Sequence, residues 1–492
     1  MSTRLSAGGL VWAGFDGPTV PGPLLDGIAH GRIGGLLLFA YRGNIRSREQ
    51  VRGMLGEAVA ATRRGGLPPV PVGIDQEGGG VIRIGYGAVF PSAMAIAASG
   101  EPANAERAAR AVAHGLLADG IAVNHAPVCD VNTDPRNPVI GTRSFGDDAA
   151  AVARYCASWV RGSEGEGVAT SPKHFPGHGA TAHDTHHTTV DVLADRTMLE
   201  TRELVPFRAA FAAGASSVMT AHIRYPSLDD ETIATLSPWI LGELLRVELG
   251  FTGLAMTDAL DMSGLTQVET PDRVAARAVN AGIDAVMVSS GLGAQLEAAE
   301  HLALGVPPAR LREAIVRATA FRERFGVEVP EAPFDDGPGQ VLALEIAAAS
   351  ITHVGPALPR LGGPIRVTLF LPQRRSPVEE LARLETHFET ALRERLGTGL
   401  AFTSDGGAPT GDGPLIVCTS SAFFDPAQAE RARTLLAGGG ILCALRSPYD
   451  ATLVPNVPSL LTYGDVPASL VALADVLAGR SRPRGAVPVR LA

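Results

Sequence analysis

The chain has 492 residues, too long for one compact core and too short for more than about three domains. Hydrophobic residues make up 46% and charged residues 19%, which describes a globular protein and excludes wholesale disorder. The net charge of −9 gives no general attraction for nucleic acid, and no uninterrupted apolar run approaches the roughly 18 residues of a membrane span.

The four cysteines lie in apolar stretches without CxxC spacing. This argues against a zinc knuckle or a disulfide framework and favours buried thiols in a reducing compartment. The first apolar run of the chain is short and broken by glycines, unlike a signal peptide. We therefore expect a cytoplasmic protein that does not contact membranes.

The first two-thirds of the chain alternate short apolar runs with longer amphipathic ones. Eight short runs are typical of buried strands: Gly8–Phe15, Gly34–Ala40, Val70–Asp75, Ile121–Ala126, Val168–Lys173, Ala215–His222, Gly253–Asp258 and Ile283–Ser289. Apolar residues with helical spacing lie between most of them, as in Ser47–Arg64, where Ser47 and Gln50 predict a capping box. The pattern predicts an α/β fold, a (β/α)8 TIM barrel, with a doubly wound open sheet as the alternative. No G-x-G-x-x-G follows the first strand, which favours the barrel.

A change of composition predicts a second domain. Residues 327–340 are rich in proline and glycine, as in a linker, and follow a helical run that ends near residue 325. Beyond them, β-like runs alternate with helical patterns. We therefore expect a barrel over 1–326, a linker over 327–340 and a smaller α/β domain over 341–492.

Polar residues gather where the predicted strands end, which is the functional edge of a (β/α)8 barrel. They are Asp75 and Arg83 after the third strand, Asp130 to Arg143 after the fourth, Lys173 and His174 at the fifth, His222 at the sixth and Asp258 at the seventh. A single polar strand end is commonly just solvated, but five together predict a shared site. Lys173 is also the single lysine among 42 basic residues. Unless this is chance in an arginine-rich chain, the position needs a compact ammonium rather than a planar guanidinium.

The loop after the fifth strand contains five histidines within fourteen residues. A metal site is one interpretation and a solvated loop another, but the prolines and glycines of the loop prevent the i, i+4 pairing of helical metal sites. We favour Asp184 and His186 as a dyad in which the carboxylate accepts a hydrogen bond from the imidazole and raises its basicity. Such a dyad would serve as a general acid and base.

Asp258 ends an apolar strand, where partial desolvation suits a nucleophile. Asp261 competes for this role, but we expect it to cap or solvate the following helix. Lys173 could instead form a Schiff base, as in a class I aldolase. That alternative leaves Asp184, His186 and Asp258 without a clear role.

These segments together resemble glycoside hydrolase family 3, in its bacterial β-N-acetylglucosaminidase branch. The resemblance rests on Ile74-Asp-Gln-Glu-Gly-Gly79, Ala126-Pro-Val-Cys-Asp-Val-Asn-Thr-Asp-Pro-Arg-Asn-Pro-Val-Ile-Gly141, Lys173-His-Phe-Pro-Gly-His-Gly179 with Asp184-Thr-His186, and Thr257-Asp258-Ala-Leu-Asp-Met262. It covers the whole chain, and it implies that the second domain is the α/β sandwich of that family. The arginine that usually follows the Asp-Gln-Glu-Gly-Gly segment is replaced by Gly80.

The resemblance implies residue roles. Asp258 matches the catalytic nucleophile and His186 the acid/base, oriented by Asp184. The residues that match those holding the terminal sugar are Asp75, Arg83, Arg143, Lys173 and His174.

The implied activity is retaining removal of terminal β-linked N-acetylglucosamine from small peptidoglycan- or chitin-derived glycans, with no cofactor and no metal. Because a neutral imidazole would not repel an anionic acceptor, a phosphorylase is an alternative. β-Glucosidase or β-xylosidase specificity and a non-catalytic glycan-binding protein are further alternatives. Those other specificities generally take their acid/base from the second domain, which the Asp184/His186 loop argues against.

Overall fold

Eight parallel strands form the N-terminal barrel. The computed structural model describes residues 6–181, 190–262, 270–289, 291–362, 364–373, 379, 384–397 and 399–491. The strands are Val11–Ala13 (β1), Gly35–Leu38 (β2), Val72–Ile74 (β3), Val123–Asn124 (β4), Ala169–Thr170 (β5), Ser217–Thr220 (β6), Leu254–Ala259 (β7) and Ala285–Val288 (β8). Their order, β5-β4-β3-β2-β1-β8-β7-β6, confirms the (β/α)8 barrel and excludes the open doubly wound sheet.

The barrel closes through the segment that follows β5 rather than through β5 itself. The amide of Phe175 donates to the carbonyl of Met219 at 2.8 Å, and the amide of Ala221 donates to the carbonyl of Phe175 at 2.8 Å. The amide of Met219 in turn donates to Pro172 at 3.1 Å. The closing seam therefore contains the stretch that carries Lys173 and His174.

Helices surround the barrel and continue into the second domain. The α-helices of the described residues are Gly22–Ala29, Arg48–Arg64, Ala93–Ala98, Pro102–Ala118, Ala149–Gly165, Arg196–Met198, Leu204–Ala212, Pro271–Ala281, Leu292–Gly305, Pro308–Phe325, Gly337–Ser350, Leu384–Leu396, Pro426–Leu436 and Pro467–Leu477. Two helical segments are π-helical, Leu199–Glu203 and Trp239–Glu248. Within the described part of the chain, no helix combines the length and the apolar character that crossing a membrane requires.

The helix Arg48–Arg64 shows how local sequence sets an element. Ser47 accepts a hydrogen bond from the amide of Gln50 at 3.2 Å, which caps the first turn as predicted. The Gln50 side chain accepts from the amide of Arg46 instead of closing the reciprocal capping box. The face containing Val51 and Leu55 is buried against the barrel.

The aromatic rings of Trp12 and His125 pack inside the barrel directly against glycines of neighbouring strands. A Cβ at Gly35 would lie 2.3 Å from the Trp12 ring, and one at Gly73 would lie 2.4 Å from Nε2 of His125. Glycine at these two strand positions therefore leaves the space that Trp12 and His125 occupy. The two rings meet edge to face, with centroids 6.2 Å apart.

A second sheet follows the barrel. After 326–336, which contain neither helix nor strand, its strands are Thr352–Val354 (β9), Ile365–Leu369 (β10), Leu400–Ser404 (β11), Leu415–Thr419 (β12), Ile441–Ala444 (β13) and Ser459–Leu461 (β14). They are ordered β9-β14-β13-β12-β10-β11, and only the β9–β14 pairing is antiparallel. A small third sheet in the barrel region contains Val190–Asp191, Ile223–Tyr225 and Asp229–Ile233.

The second sheet's domain packs against the β3 side of the barrel. Met94 in the helix Ala93–Ala98 belongs to one hydrophobic cluster with Tyr449 and Tyr463. Polar contacts reinforce this interface: Asn132 Nδ2 donates to the Tyr449 hydroxyl at 3.0 Å, and Ser92 Oγ donates to the Tyr463 carbonyl at 2.7 Å. All four cysteines are buried free thiols, as predicted.

Candidate active site

The carboxyl ends of the barrel strands open into one cavity of about 240 Å³. Asp75 directly follows β3, Lys173 lies in the closing seam and Asp258 lies in β7. Six residues singled out from the sequence line this cavity together: Asp75, Arg83, Arg143, Lys173, His174 and Asp258. The structure therefore brings together side chains from β7 and from the segments that follow β3, β4 and β5, which are far apart in the sequence.

Lys173 lies between two carboxylates. Its Nζ is 2.7 Å from Asp75 Oδ1 and 2.6 Å from Glu77 Oε1, and only 2% of the side chain is exposed. An ammonium donates three hydrogens from one point, so it can bind both carboxylates and keep one donor for a ligand. This explains why a lysine serves here in a chain that otherwise uses arginine.

The carboxylate of Asp75 is held ionised by its neighbours. Burial alone would raise its pKa, but the charges of Lys173 and Arg83 outweigh burial and hold the pKa well below its usual range. Arg83 Nη2 lies 3.5 Å from Asp75 Oδ2. The Arg83 backbone is fixed because its amide donates to the side-chain oxygen of Gln76 at 2.9 Å.

Glu77 is a central residue of the cavity that the sequence analysis did not single out. It accepts two hydrogen bonds from Arg143, both at 2.8 Å, in the fork geometry that arginine favours. Burial raises its pKa, but Arg143 and Lys173 together lower it to about 2. Its position two residues after Asp75, in the same segment, is the signal that could have identified it.

His174 is oriented by Asp130, which the sequence analysis placed among the polar strand ends without giving it a role. Asp130 Oδ2 is 2.7 Å from His174 Nδ1, and the same buried carboxylate accepts from the amides of His174 and His178. His174 therefore presents its Nε2 edge, which lies 3.5 Å from Arg143 Nη2. Burial lowers the pKa of His178 to about 4, so that ring is neutral near pH 7.

Asp258 follows the four buried residues of β7, and its partly exposed side chain lines the cavity. Its Oδ1 accepts a hydrogen bond from the amide of Ala259 at 2.7 Å. His222, two residues after β6, contacts the Ala259 carbonyl through Nε2 at 3.2 Å and so helps to hold the end of β7. Asp261 also lines the cavity, where it accepts from the amide of Ser289 at 3.0 Å.

The predicted acid/base dyad lies outside the described residues. Asp184 and His186 belong to 182–189, so their roles remain predictions from the sequence. Among the residues that the structure does describe, no group of His, Cys, Asp and Glu side chains is arranged to hold a metal ion.

His125 is a further cavity residue that the sequence analysis overlooked, although it directly follows β4. Burial lowers its pKa to about 4, which makes it a neutral ring near pH 7. Together the cavity offers cationic donors, ionised carboxylate acceptors and one partly exposed carboxylate at a strand end. Such a set suits a small ligand with many hydroxyl groups, each of which both donates and accepts.

Known proteins are similar to this chain in sequence and in fold. Residues 24–320 match the family model described as the glycosyl hydrolase family 3 N-terminal domain. The chain is 35% identical over 288 residues to beta-hexosaminidase A of Pseudoalteromonas piscicida, covering 55% of this chain and 48% of that protein. It is 29% identical over 478 residues to a beta-N-acetylglucosaminidase/beta-glucosidase of Cellulomonas fimi, covering 86% of this chain and 83% of that protein.

Among solved structures, a family 3 β-N-acetylglucosaminidase from Paenibacillus sp. str. FPU-7 matches with a TM-score of 0.92 at 31% identity. The match covers 100% of this chain and 99% of that one. The chain therefore spans about half the length of the Pseudoalteromonas protein but nearly the full length of the Paenibacillus structure.

Proposed function

Because the chain belongs to glycosyl hydrolase family 3 and is a glycoside hydrolase, we propose that it removes terminal β-linked N-acetylglucosamine from small glycans by a retaining mechanism. The observation that carries this proposal is the meeting of Asp258 with the Lys173–Asp75–Glu77 cluster in one cavity. The specificity follows from the relatives, several of which are named β-hexosaminidases or β-N-acetylglucosaminidases.

The cluster around Lys173 supports binding of a terminal sugar. Sugar hydroxyls would donate to the ionised Asp75 and accept from Lys173 and Arg83, and such charge-assisted hydrogen bonds are stronger than neutral ones. Glu77, which Arg143 holds in place through hydrogen bonds, stabilises the Lys173 ammonium. The cavity volume of about 240 Å³ is small for a ligand site, which suits one sugar ring rather than a long chain.

In the first step, a carboxylate oxygen of Asp258 attacks the anomeric carbon and forms a bond to it. The electron pair of the glycosidic bond moves to the leaving oxygen, which takes a proton from the imidazolium of His186. In the second step, the neutral imidazole removes a proton from water as the water oxygen displaces Asp258. Asp184 would orient His186 and stabilise its charged form; both assignments rest on the sequence motif.

The test is a panel of nitrophenyl β-glycosides: the N-acetylglucosaminide, the glucoside and the xyloside. We expect the N-acetylglucosaminide to be hydrolysed with the highest kcat/KM, and proton NMR to show the β-anomer of the free sugar as the first product. An α-anomer as first product would refute the retaining mechanism, and preference for the glucoside would refute the proposed specificity. Repeating the assay in phosphate buffer tests whether water is the acceptor, because a sugar phosphate would appear if it were not.

A further inference from the structure

The strand that carries the proposed nucleophile is irregular at that point. β7 pairs with β6 in an even register as far as Thr257. Against β8, Met256 lies opposite Ala285. Ala259, three residues later in β7, lies opposite Met287, which is only two residues further along β8. Two residues of β7 therefore stand opposite one residue of β8, which is a β-bulge.

This β-bulge consists of Thr257 and Asp258. The other strand pairings of the barrel, as far as the described residues show them, keep an even register. Bulges are rare between parallel strands and are over-represented beside active sites, where the extra residue redirects a side chain. The irregularity therefore falls on the strand whose carboxylate is proposed to attack the sugar.

The hydroxyl of Thr257 takes part in the pairing of β7 with β8. The amide of Met287 donates to Thr257 Oγ1 at 3.0 Å, and Thr257 is fully buried. The carbonyl of the same Met287 accepts from the amide of Leu260 at 2.9 Å. Backbone carbonyls are the acceptors in a regular ladder. Because the bulge shifts the carbonyls of β7 relative to β8, the hydroxyl supplies the acceptor here.

Asp261 accepts the next amide of β8 on this side. Its Oδ1 accepts from the amide of Ser289 at 3.0 Å, and its Oδ2 accepts from the hydroxyl of Ser289 at 2.5 Å. Arg42 Nη2 lies 3.9 Å from the same Oδ2, so a cation stands beside this carboxylate. Asp258 is thus bracketed by two side chains, one directly before it and one three residues after it, that both hold β7 to β8.

The bulge is also connected to the carboxylate of Asp258. Asp258 Oδ1 accepts from the amide of Ala259 at 2.7 Å, and Ala259 is the residue at which pairing with β8 resumes. This hydrogen bond restricts the direction of the carboxylate. The position of the donating amide depends on where the pairing resumes, and so on the bulge.

We propose that Thr257 and Asp261 are positioning residues, which accept the two amides at the end of β8 and so maintain the bulge that aims Asp258 at the anomeric carbon. This inference rests on the proposed function, because only there does Asp258 act as the nucleophile. The groups that hold the terminal sugar belong to the cluster around Lys173. Loss of Thr257 or Asp261 should therefore slow catalysis without weakening sugar binding.

The experiment measures kcat on the nitrophenyl N-acetylglucosaminide and, separately, the Kd of N-acetylglucosamine by calorimetry. Thr257→Val keeps the shape of the side chain but removes its acceptor. We expect kcat to fall by about thirty-fold or more while Kd stays within about two-fold of the parent, since a small misplacement of a reacting group is enough for such a loss. Thr257→Ser keeps the oxygen and should keep kcat within about three-fold of the parent.

Thr170→Val is the matched control. Thr170 is equally buried in a barrel strand, but its hydroxyl donates to Glu164 at 2.8 Å. This variant should lower the midpoint of thermal unfolding and leave kcat unchanged. If kcat fell as far in Thr170→Val as in Thr257→Val, or if Thr257→Ser were as impaired as Thr257→Val, a general loss of packing would explain the result and the inference would be overturned.

Asp261→Ala tests the second contact and decides the matter if Thr257→Val does not fold. Its kcat should fall by about ten-fold, again with an unchanged Kd. An unchanged kcat in Asp261→Ala or in folded Thr257→Val, or a loss of sugar binding that parallels the loss of kcat, would overturn the inference. Failure of the parent protein to hydrolyse any nitrophenyl glycoside would instead refute the proposed function.

Discussion

Lys173 Nζ lies 2.6 Å from Glu77 Oε1, and neither side chain is more than 5% exposed. The pair links the segment after β3 to the closing seam of the barrel. Because Asp75 and Arg143 complete the cluster, each charge has an opposite charge beside it. The binding groups are therefore fixed before any ligand arrives, which reduces the entropy lost on binding.

Replacement of Lys173 by arginine should impair activity although the charge is retained. A guanidinium is larger and planar and cannot bind Asp75 and Glu77 from one point in a space with 2% exposure. We expect kcat/KM for the nitrophenyl N-acetylglucosaminide to fall by about a hundred-fold or more, the equivalent of roughly 3 kcal/mol. The reverse type of change at an exposed site, Arg110→Lys, serves as the control and should have little effect. Near-normal activity of Lys173→Arg would show that the compact ammonium is not required.

Asp258→Ala should remove the nucleophile while leaving the binding cluster in place. We expect turnover to fall by at least about a thousand-fold, with binding of N-acetylglucosamine still measurable by calorimetry. Azide added to this variant should restore release of nitrophenol and yield the α-glycosyl azide, because the azide attacks the face that Asp258 has vacated. Asp261→Asn, three residues away in the same cavity, is the comparison. A larger loss in Asp261→Asn than in Asp258→Ala would reassign the nucleophile.

The stability of the protein should fall in acid because of Glu77. Its pKa is lowered to about 2 in the native protein against an ordinary value of 4.5, so the native state binds the proton less readily than the unfolded chain. Its contribution is fully present above about pH 4.5 and is lost as the pH falls toward 2. Urea unfolding at pH 6 and pH 3 measures this. Glu77→Gln should be less stable at pH 6 by about 3–5 kcal/mol, since it leaves the buried Arg143 without its carboxylate and Lys173 with only one of its two, and should show a weaker pH dependence.

Glu203 should lower the stability of the protein as the pH rises, which is the opposite of the effect of Glu77. Its side chain is buried next to Gly177. Burial raises the pKa of Glu203 to about 7, although the charge of Arg202, whose Nη2 lies 2.5 Å from Glu203 Oε1, lowers it. The native carboxyl therefore keeps a proton that the unfolded chain releases above about pH 4.5, and stability falls as the pH rises from there to 7. Glu203→Gln should lose less free energy of unfolding between pH 5 and pH 8 than the parent. Glu200→Gln, at a nearby exposed site, should behave like the parent. If the free energy of unfolding of Glu203→Gln fell with pH as steeply as that of the parent, the prediction would be wrong.

The barrel could be predicted because its strands are buried on both faces. Seven of the eight apolar runs contain their strand, the seventh overlaps β7 but ends one residue before it, and the order of the runs along the chain is the order in the fold. All the strands except β7 are shorter than the runs: Gly8–Phe15 contains only Val11–Ala13, because Ala7–Leu10 forms a 3₁₀-helix. The apolar composition of a run reflects its burial, whereas the limits of a strand depend on its hydrogen bonds to neighbouring strands. Composition therefore predicts that a strand is present but not where it begins and ends.

The site could be predicted only in part. Asp75, Lys173 and Asp258 are visible in the sequence because each stands where an apolar strand ends. Glu77 was not singled out and Asp130 was named only as a polar strand end, because the importance of each comes from partners on other strands. These partners are Arg143 and Lys173 for Glu77 and His174 for Asp130. Pairing across a barrel depends on contacts between distant parts of the chain, which local patterns do not encode.

The seam that closes the barrel runs through Phe175, two residues from Lys173 and next to His174. Lys173 therefore lies between Pro172 and Phe175, which both make backbone hydrogen bonds across the closing seam. We expect a ligand bound to the Lys173 ammonium to stabilise this seam. Amide hydrogen exchange at Phe175, Met219 and Ala221 should consequently slow when the sugar product is bound, more than exchange in the distant sheet of the second domain. Binding of the sugar product would then stabilise the same few hydrogen bonds that close the barrel.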